Sequence, residues 1–271
     1  MLRDQTLNFL KEHNLTIDPS LDEQQLINSA VIERLIEYAE VGKEDIVLEI
    51  GPGIGNITIQ LAEASGHLHV IEKNQKFIRP LIERCRPYSN ITLVHADALR
   101  EPYPVFNKLV SNLPYRICEA ILNRLKYENF DAACLIVSSS FAKIVTAQKN
   151  DSNYSKLSFV AKLFFDIALV ENLSPNSYHP QPSVETSAIT LSPRKNMSKT
   201  DQVMQDLLRQ SDKKTRNALR GSFIRVGIAS TKKKSIEYIS SLGFDESTLQ
   251  KRVARLSLIS LKEIQQIITN K

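Results

Sequence analysis

The residues Asn112-Leu113-Pro114-Tyr115 combine groups that could hold a flat ring by its amine. The side-chain oxygen of Asn112 and the carbonyl of Leu113 can both accept from one –NH₂ group, and Pro114 restricts the backbone so that the acceptors converge. Tyr115 offers a face on which a planar base can stack. An exocyclic amine held in this way directs its lone pair at an electrophile, and alignment supplies most of the acceleration. The alternative is a proline turn that merely ends a strand.

A glycine-rich turn precedes this tetrad. The apolar run 46–50 predicts a buried strand, Gly51, Gly53 and Gly55 follow at alternate positions, and a helical pattern begins near Ile57. This order lets the backbone approach a ligand closely. The third glycine comes two residues after the second, whereas the dinucleotide fingerprint has three, so the spacing argues against a nicotinamide enzyme.

Two acidic residues follow the next predicted strands. Glu72 ends the strand after the glycine turn, 21 residues after Gly51, and can accept from both hydroxyls of a ribose. Asp97 follows the third strand and can accept from the amine of an adenine. Each could instead be an ordinary strand-end or turn acid. Together with the turn, they indicate an adenosine-containing cofactor.

A parallel sheet would bring these residues together, because ligands of such sheets bind at the carboxyl ends of the strands. Strands alternating with helices predict a doubly wound α/β fold. The strands are predicted at 46–50, 68–72, 91–95, 107–111 and 132–138, with helices at 55–65, 75–86 and 117–127. Further helices are predicted at 141–147 and 157–165 and further strands at 167–172 and 187–191, with an extended proline-rich stretch at 174–182. Four helical patterns follow at 199–210, 213–225, 232–242 and 258–269, and a short helix is predicted near 7–13.

Charge divides the chain into two parts. From Arg194 to Lys271 there are 17 basic and 7 acidic side chains, whereas residues 1–193 hold 18 basic and 23 acidic ones. A basic C-terminal part beside a mildly acidic one suggests a module that binds a polyanion, with a solubilising basic surface as the alternative. We therefore predict domains at 1–193 and 194–271.

Composition excludes several classes of protein. No run of about 18 uncharged apolar residues is present, so no membrane span is predicted. The cysteines Cys85, Cys118 and Cys134 form no CxxC pair, which suits a reducing cytoplasm and argues against a zinc site. The five histidines form no ligand cluster either. We expect a cytoplasmic monomer without a metal.

The ordered set of motifs resembles a known enzyme family. The run from Glu49 to Gly55 is similar to motif I of the S-adenosylmethionine-dependent methyltransferases. Taken with Glu72, Asp97 and the tetrad, it resembles the rRNA adenine N6,N6-dimethyltransferase family, from about Gln24 to Pro193. The segments 153–158 and 175–184 are similar to the Tyr-Gly-Arg-Leu-Ser and Pro-Ser-x-Phe-x-Pro-x-Pro-x-Val segments of that family.

The resemblance implies a Rossmann-like class I methyltransferase sheet, seven-stranded and mostly parallel, with a small all-α C-terminal domain that binds RNA. It implies dimethylation of two adjacent adenosines in a small-subunit rRNA hairpin, within an immature small ribosomal subunit. The implied S-adenosylmethionine site consists of Gln24, Leu26, Gly51, Gly53, Glu72, Lys73, Asp97, Ala98 and Asn112. The implied catalytic residues are Asn112, Leu113, Pro114, Tyr115 and Tyr178, with the two tyrosines sandwiching a flipped base.

Three departures from the family pattern are visible. Gln25 stands where the family has an aromatic residue, which predicts a weaker cover over the cofactor. Ser138-Ser139-Ser140 replaces a Gln-Lys/Tyr-Glu run, and Ser155 replaces a glycine. These changes motivate a first alternative, an rRNA-binding assembly factor with reduced or lost catalysis.

The second alternative is a large-subunit adenine methylase of the macrolide-resistance type, and a nicotinamide oxidoreductase ranks last. The proline segment and the basic tail favour the small subunit. Phosphate contacts are predicted from the basic side chains of the C-terminal part. They are Lys213, Lys214, Arg216, Arg220, Arg225, Lys232, Lys233 and Lys234.

Overall fold

A computed structural model describes all 271 residues, which form two compact units. The first comprises Met1–Thr146 and Asp166–Pro193, and the second comprises Ala147–Phe165 and Arg194–Lys271. The units divide after residue 193, and residues 147–165, which the sequence assigns to the first predicted domain, group with the C-terminal helices.

The first unit alternates strands and helices in the predicted order. Its helices are α1 (Leu2–Glu12), α2 (Ser29–Tyr38), α3 (Asn56–Ala64), α4 (Gln75–Cys85), α5 (Cys118–Leu125) and α6 (Ser139–Thr146). Its strands are β1 (Gln25–Leu26), β2 (Ile46–Ile50), β3 (His67–Glu72), β4 (Ile91–His95), β5 (Lys108–Asn112), β6 (Ala132–Ser138), β7 (Phe165–Leu173), β8 (Tyr178–His179) and β9 (Thr186–Pro193). The strands lie within two residues of the predicted bounds, whereas β1 and β8 were not predicted and α1 begins five residues earlier than expected.

Seven strands form one sheet in the order β4-β3-β2-β5-β6-β9-β7. The pairs from β4 to β6 are parallel, and β9 runs antiparallel to β6, so the predicted mostly parallel sheet is confirmed. The central strands are buried on both faces, as the continuous apolar runs indicate. Strand order reverses between β2 and β5, which opens a crevice at their carboxyl ends.

A second, two-stranded sheet joins distant parts of the first unit. Gln25 of β1 pairs with His179 of β8, and Leu26 pairs with Tyr178. Leu26 and Tyr178 both enter the main apolar core. The N-terminal segment is thus fixed beside the sheet rather than extended away from it.

The second unit is helical. It contains α7 (Lys156–Phe164), α8 (Lys199–Leu208), α9 (Thr215–Arg225), α10 (Lys232–Ser241), α11 (Glu246–Gln250) and α12 (Leu258–Thr269). Of these, α11 was not predicted. Most of the helices begin at a side chain that accepts from the backbone N–H three residues later, which explains their sharp starts. These caps are Ser155, Ser198, Thr231, Asp245 and Ser257.

The segment containing α7 belongs to this unit because of its contacts. Gln205 Nε2 donates to the Leu163 carbonyl at 2.8 Å, and Lys156 Nζ donates to the Ala254 carbonyl at 3.0 Å. The Lys262 ammonium lies 4.7 Å from the centre of the Tyr154 ring. An apolar helix pattern says which face is buried but not which partner buries it, so the sequence could not assign this helix.

Candidate active site

A cavity of about 480 Å³ lies in the crevice at the carboxyl ends of β2 and β5, within the range usual for small-molecule sites. Its walls come from the segment 21–26, the glycine turn, the end of β3, the loop 96–99, and Asn112 and Pro114 of the tetrad. All nine residues implied as the cofactor site line it, namely Gln24, Leu26, Gly51, Gly53, Glu72, Lys73, Asp97, Ala98 and Asn112. The nine residues assigned to the cofactor site from the sequence therefore lie around one cavity.

The backbone N–H groups of the glycine turn are already bonded within the protein. Gly53 N–H donates to Glu72 Oε2 at 3.1 Å, and Ile54 N–H donates to Gln25 Oε1 at 3.1 Å. Gly55 N–H donates to a carbonyl inside the turn at 3.0 Å. Dinucleotide sites use such N–H groups to bind a pyrophosphate. This turn suits a cofactor without phosphate.

Glu72 holds the turn and faces the cavity. Besides Gly53, its carboxylate accepts from the Asn74 N–H at 2.6 Å. Burial raises the pKa of Glu72, and these backbone hydrogen bonds oppose that rise. Each carboxylate oxygen retains a lone pair, so ribose hydroxyls could still be accepted. The ribose contact stays a prediction.

Asp97 is held as an anion at the cavity wall. Its Oδ1 accepts from the Leu99 N–H at 2.9 Å, and its Oδ2 lies 3.0 Å from Lys73 Nζ. The Leu99 hydrogen bond, followed by Lys73, lowers the pKa of Asp97. Asp97 therefore caps the turn that follows β4, as the alternative interpretation expected. The contact of Asp97 with an adenine stays a prediction.

Asn112, the last residue of β5, presents a free acceptor. Its Nδ2 donates to the Gln24 carbonyl at 3.3 Å, and its Oδ1 is buried without a hydrogen-bond partner. Buried polar atoms are rarely left unpaired, so such an atom at the edge of a cavity indicates a missing ligand donor. Pro114, with φ −55° and ψ 125°, lines the same cavity.

The remaining catalytic candidates lie outside the lining of the cavity. Leu113 and Tyr178 are 1% and 2% exposed, and neither they nor Tyr115 line the cavity. Tyr178 Oη is 2.9 Å from Thr186 Oγ1, while Tyr115 Oη is buried without a partner. Pairing with Leu26 places Tyr178 in the core, and the sandwich of a flipped base between the two tyrosines stays a prediction. Burial raises the pKa of both tyrosines.

The structure adds polar residues that sequence reasoning missed. Glu23 forms an ion pair with Lys76, and Asp22 lies 3.5 Å from the Arg116 Nε. Asn56 lines the cavity with a buried, unpartnered Oδ1. The two ion pairs join residues 53 and 94 positions apart, and no local pattern signals such pairs.

The structure contains neither a metal-binding cluster nor a membrane-spanning helix. Across the 271 residues, no group of three or more His, Cys, Asp or Glu side chains could hold a metal ion. None of the helices has the length and apolar character needed to span a bilayer.

Comparison with known proteins gives matches over most of the chain. Residues 14–263 match the family described as ribosomal RNA adenine dimethylase. A probable ribosomal RNA small subunit methyltransferase A from Methanothermobacter thermautotrophicus is 33% identical over 263 residues, covering 96% of this chain and 94% of that protein. A ribosomal RNA small subunit methyltransferase A from Clostridium botulinum is 32% identical over 194 residues, which cover 69% of this chain and 70% of that protein.

Two solved structures share the fold. A dimethyladenosine transferase from Plasmodium falciparum has a TM-score of 0.62 and 22% identity, covering 90% of this chain and 96% of that chain. The 23S rRNA methyltransferase ErmE has a TM-score of 0.62 and 20% identity, and the match covers 90% of this chain and 99% of that chain. The predicted Rossmann-like methyltransferase fold is confirmed.

Proposed function

Because the chain belongs to the ribosomal RNA adenine dimethylase family, we propose that it dimethylates N6 of two adjacent adenosines in a small-subunit rRNA hairpin. The methyl donor is S-adenosylmethionine, and the substrate is an immature small ribosomal subunit in the cytoplasm. The observation that carries the proposal is the unpartnered Oδ1 of Asn112 at the edge of the donor cavity.

The residues of the cavity fit the donor. When bound, S-adenosylmethionine supplies a methyl group activated by a sulfonium. Glu72 would accept from the ribose hydroxyls, and Asp97 from the adenine amine. The glycine turn offers no unbonded N–H at Gly53 or Ile54, which is consistent with a donor that has no phosphate.

The tetrad is proposed to orient the target amine. Asn112 Oδ1 and the Leu113 carbonyl each accept one of its hydrogens, so its lone pair stays directed at the methyl group. Tyr115 stacks on the base, which typically contributes about 1–3 kcal/mol. The proton that the nitrogen loses passes to solvent, and correct positioning supplies most of the acceleration.

The second unit is proposed to bind rRNA phosphates, and its basic side chains differ in availability. Arg225 forms an ion pair with Asp206, and Arg216 forms one with Glu246. Lys232, Lys233 and Lys234 at the start of α10 are exposed and form no ion pair. These three are the strongest candidates for phosphate contacts.

The alternatives are not favoured. A binding module without catalysis would not need the free Asn112 acceptor or the complete cavity lining. The relatives named above act, by their names, on the small subunit. ErmE shares the fold at 20% identity, which does not extend to its substrate.

The test is mass spectrometry of rRNA nucleosides after incubation of immature small subunits with the protein and S-adenosylmethionine. We expect N6,N6-dimethyladenosine to appear, and to be lost in Asn112→Ala. Absence of any methylation on every ribosomal particle would reject the proposal, and methylation of large-subunit rRNA alone would favour the macrolide-resistance type.

A further inference from the structure

Gln25 is a buried polar residue that lines the donor cavity. The ribosomal RNA adenine dimethylase family has an aromatic residue at this position. Gln25 is 5% exposed. Its Nε2 donates to the Glu23 carbonyl at 2.6 Å, and its Oε1 accepts from the Ile54 N–H at 3.1 Å. Both ends of the side-chain amide are therefore bonded to the backbone.

The side chain of Gln25 also occupies space that only a glycine leaves free. A Cβ at position 53 would lie 2.6 Å from both Nε2 and Oε1 of Gln25. Gly53 has a φ of +59°, a conformation that L side chains rarely adopt. Glu72 holds the Gly53 N–H, and Gln25 holds the next N–H along the chain. The two side chains together fix the conformation of the turn.

The same segment reaches the catalytic amide. Gln24, the neighbour of Gln25, provides the carbonyl that accepts from Asn112 Nδ2. Displacement of Gln25 would move this carbonyl and release the amide of Asn112. Gln25 therefore lines the cavity and is the chain neighbour of the residue that binds Asn112.

We infer that Gln25 is a positioning residue that sets the glycine turn for the methyl donor and holds the Gln24 carbonyl against Asn112. It is not a catalytic residue, because its amide is bonded to the backbone of Glu23 and Ile54. Gln25 therefore replaces the aromatic residue of the family with a polar one. The cover expected over the cofactor is changed in chemistry but is not lost. This inference deepens the proposed function and rests on it.

The test compares Gln25→Met with Gln205→Met, a matched control. Gln205 is also 5% exposed and donates to one backbone carbonyl, but it lies in the second unit. Calorimetry with S-adenosylhomocysteine should show about tenfold weaker binding in Gln25→Met, the effect expected from loss of one or two hydrogen bonds. The control should bind like the unmodified protein. In methyl-transfer assays, kcat should also fall in Gln25→Met, because Asn112 is released.

Hydrogen exchange gives a readout that needs neither donor nor activity. The amide of Ile54 should exchange faster in Gln25→Met and stay protected in Gln25→Glu, which keeps the acceptor oxygen. Equal affinity and equal exchange in Gln25→Met and the unmodified protein would overturn the inference. If the unmodified protein does not bind S-adenosylhomocysteine, the proposed function fails instead. If Gln25→Met does not fold, the Gln25→Glu variant still tests the inference. Faster hydrogen exchange of the Ile54 amide in Gln25→Glu than in the unmodified protein would overturn the inference and leave the proposed function standing.

Discussion

Asn112 Nδ2 donates to the carbonyl oxygen of Gln24 at 3.3 Å, although 88 residues separate the two in the sequence. This hydrogen bond decides which end of the Asn112 amide is free. With Nδ2 engaged, Oδ1 is the atom left without a partner. The N-terminal segment therefore orients the group that is proposed to accept from the target amine.

The orientation of Asn112 can be tested by Asn112→Asp. Aspartate keeps an acceptor and the shape of the side chain but cannot donate to Gln24, and its charge repels that carbonyl. We expect kcat to fall about tenfold in this variant and about 10²–10³-fold in Asn112→Ala, with donor affinity changed by only a few fold. Steady-state methyl-transfer kinetics would measure both.

Asn90→Asp is the matched control for this change. Asn90 Nδ2 also donates to backbone carbonyls, at 2.9 Å from that of Ala62, but Asn90 does not line the cavity. Its kcat should equal that of the unmodified protein. A kcat of Asn112→Asp equal to that of the control would show that the Gln24 hydrogen bond has no part in positioning.

Glu49 makes stability depend on pH. Burial raises the pKa of this side chain to about 8 from 4.5, the Thr58 hydroxyl opposes the rise, and the nearby Glu72 carboxylate adds to it. One carboxyl oxygen of Glu49 has no hydrogen-bond partner. Cys85 also faces this group, and its pKa is raised to about 11, chiefly by burial.

The sign follows from proton binding. Between pH 4.5 and about 8, the folded state holds a proton on Glu49 that the unfolded state has lost. The contribution of Glu49 to the free energy of unfolding is therefore full below pH 4.5 and decreases as pH rises through this window. We compare the change in Tm that Glu49→Gln causes at the two pH values. The change at pH 8 should be more positive than the change at pH 5 by at least about 3 °C.

Thermal melts at both pH values would measure this difference, with Glu83→Gln as the control. Glu83 is an exposed acid on α4, and no shift of Tm with pH is expected from its replacement. A Glu49→Gln variant whose Tm differs from the unmodified protein equally at pH 5 and pH 8 would contradict the raised pKa.

Regular elements were predictable because their signals are local. The β-branched run 46–50 and the alternation of strands with helices predicted the parallel sheet, and the glycine turn with Glu72 located the cavity. The burial of Tyr178 was not predictable, because it depends on pairing with Leu26, 152 positions away. The roles of Gln25 and Arg116 depend on long-range contacts in the same way.

Arg116, the residue after the tetrad, binds the segment that contains Ser20 and Asp22. Its backbone N–H donates to Asp22 Oδ2 at 3.3 Å, and its guanidinium donates to the Ser20 carbonyl. Asp22 has a left-handed backbone with φ 59°, so the turn depends on such ties. Exposed ion pairs contribute only about 0–1 kcal/mol, and we therefore expect a local effect.

Arg116→Gln should make the amides of residues 18–24 exchange faster by up to about fivefold, while Tm changes little. Hydrogen exchange followed by mass spectrometry would measure this. Arg86→Gln serves as the control, because Arg86 is exposed and forms no ion pair. Unchanged exchange in Arg116→Gln would show that the segment is held by the other contacts alone.

The unpaired lysines at the start of α10 should dominate the salt dependence of RNA binding. Replacing Lys232, Lys233 and Lys234 by Ser should weaken binding to immature small subunits and reduce the slope of log K against log salt by about 3. Arg216→Gln should reduce the slope by less than 1, because the charge of Arg216 is already paired with Glu246. Filter binding from about 50 to 200 mM salt would give both slopes. Equal reductions per charge removed in the two variants would mean that the pairing with Glu246 does not limit access of Arg216 to phosphate, and an unchanged slope in the triple variant would exclude α10 from the RNA interface.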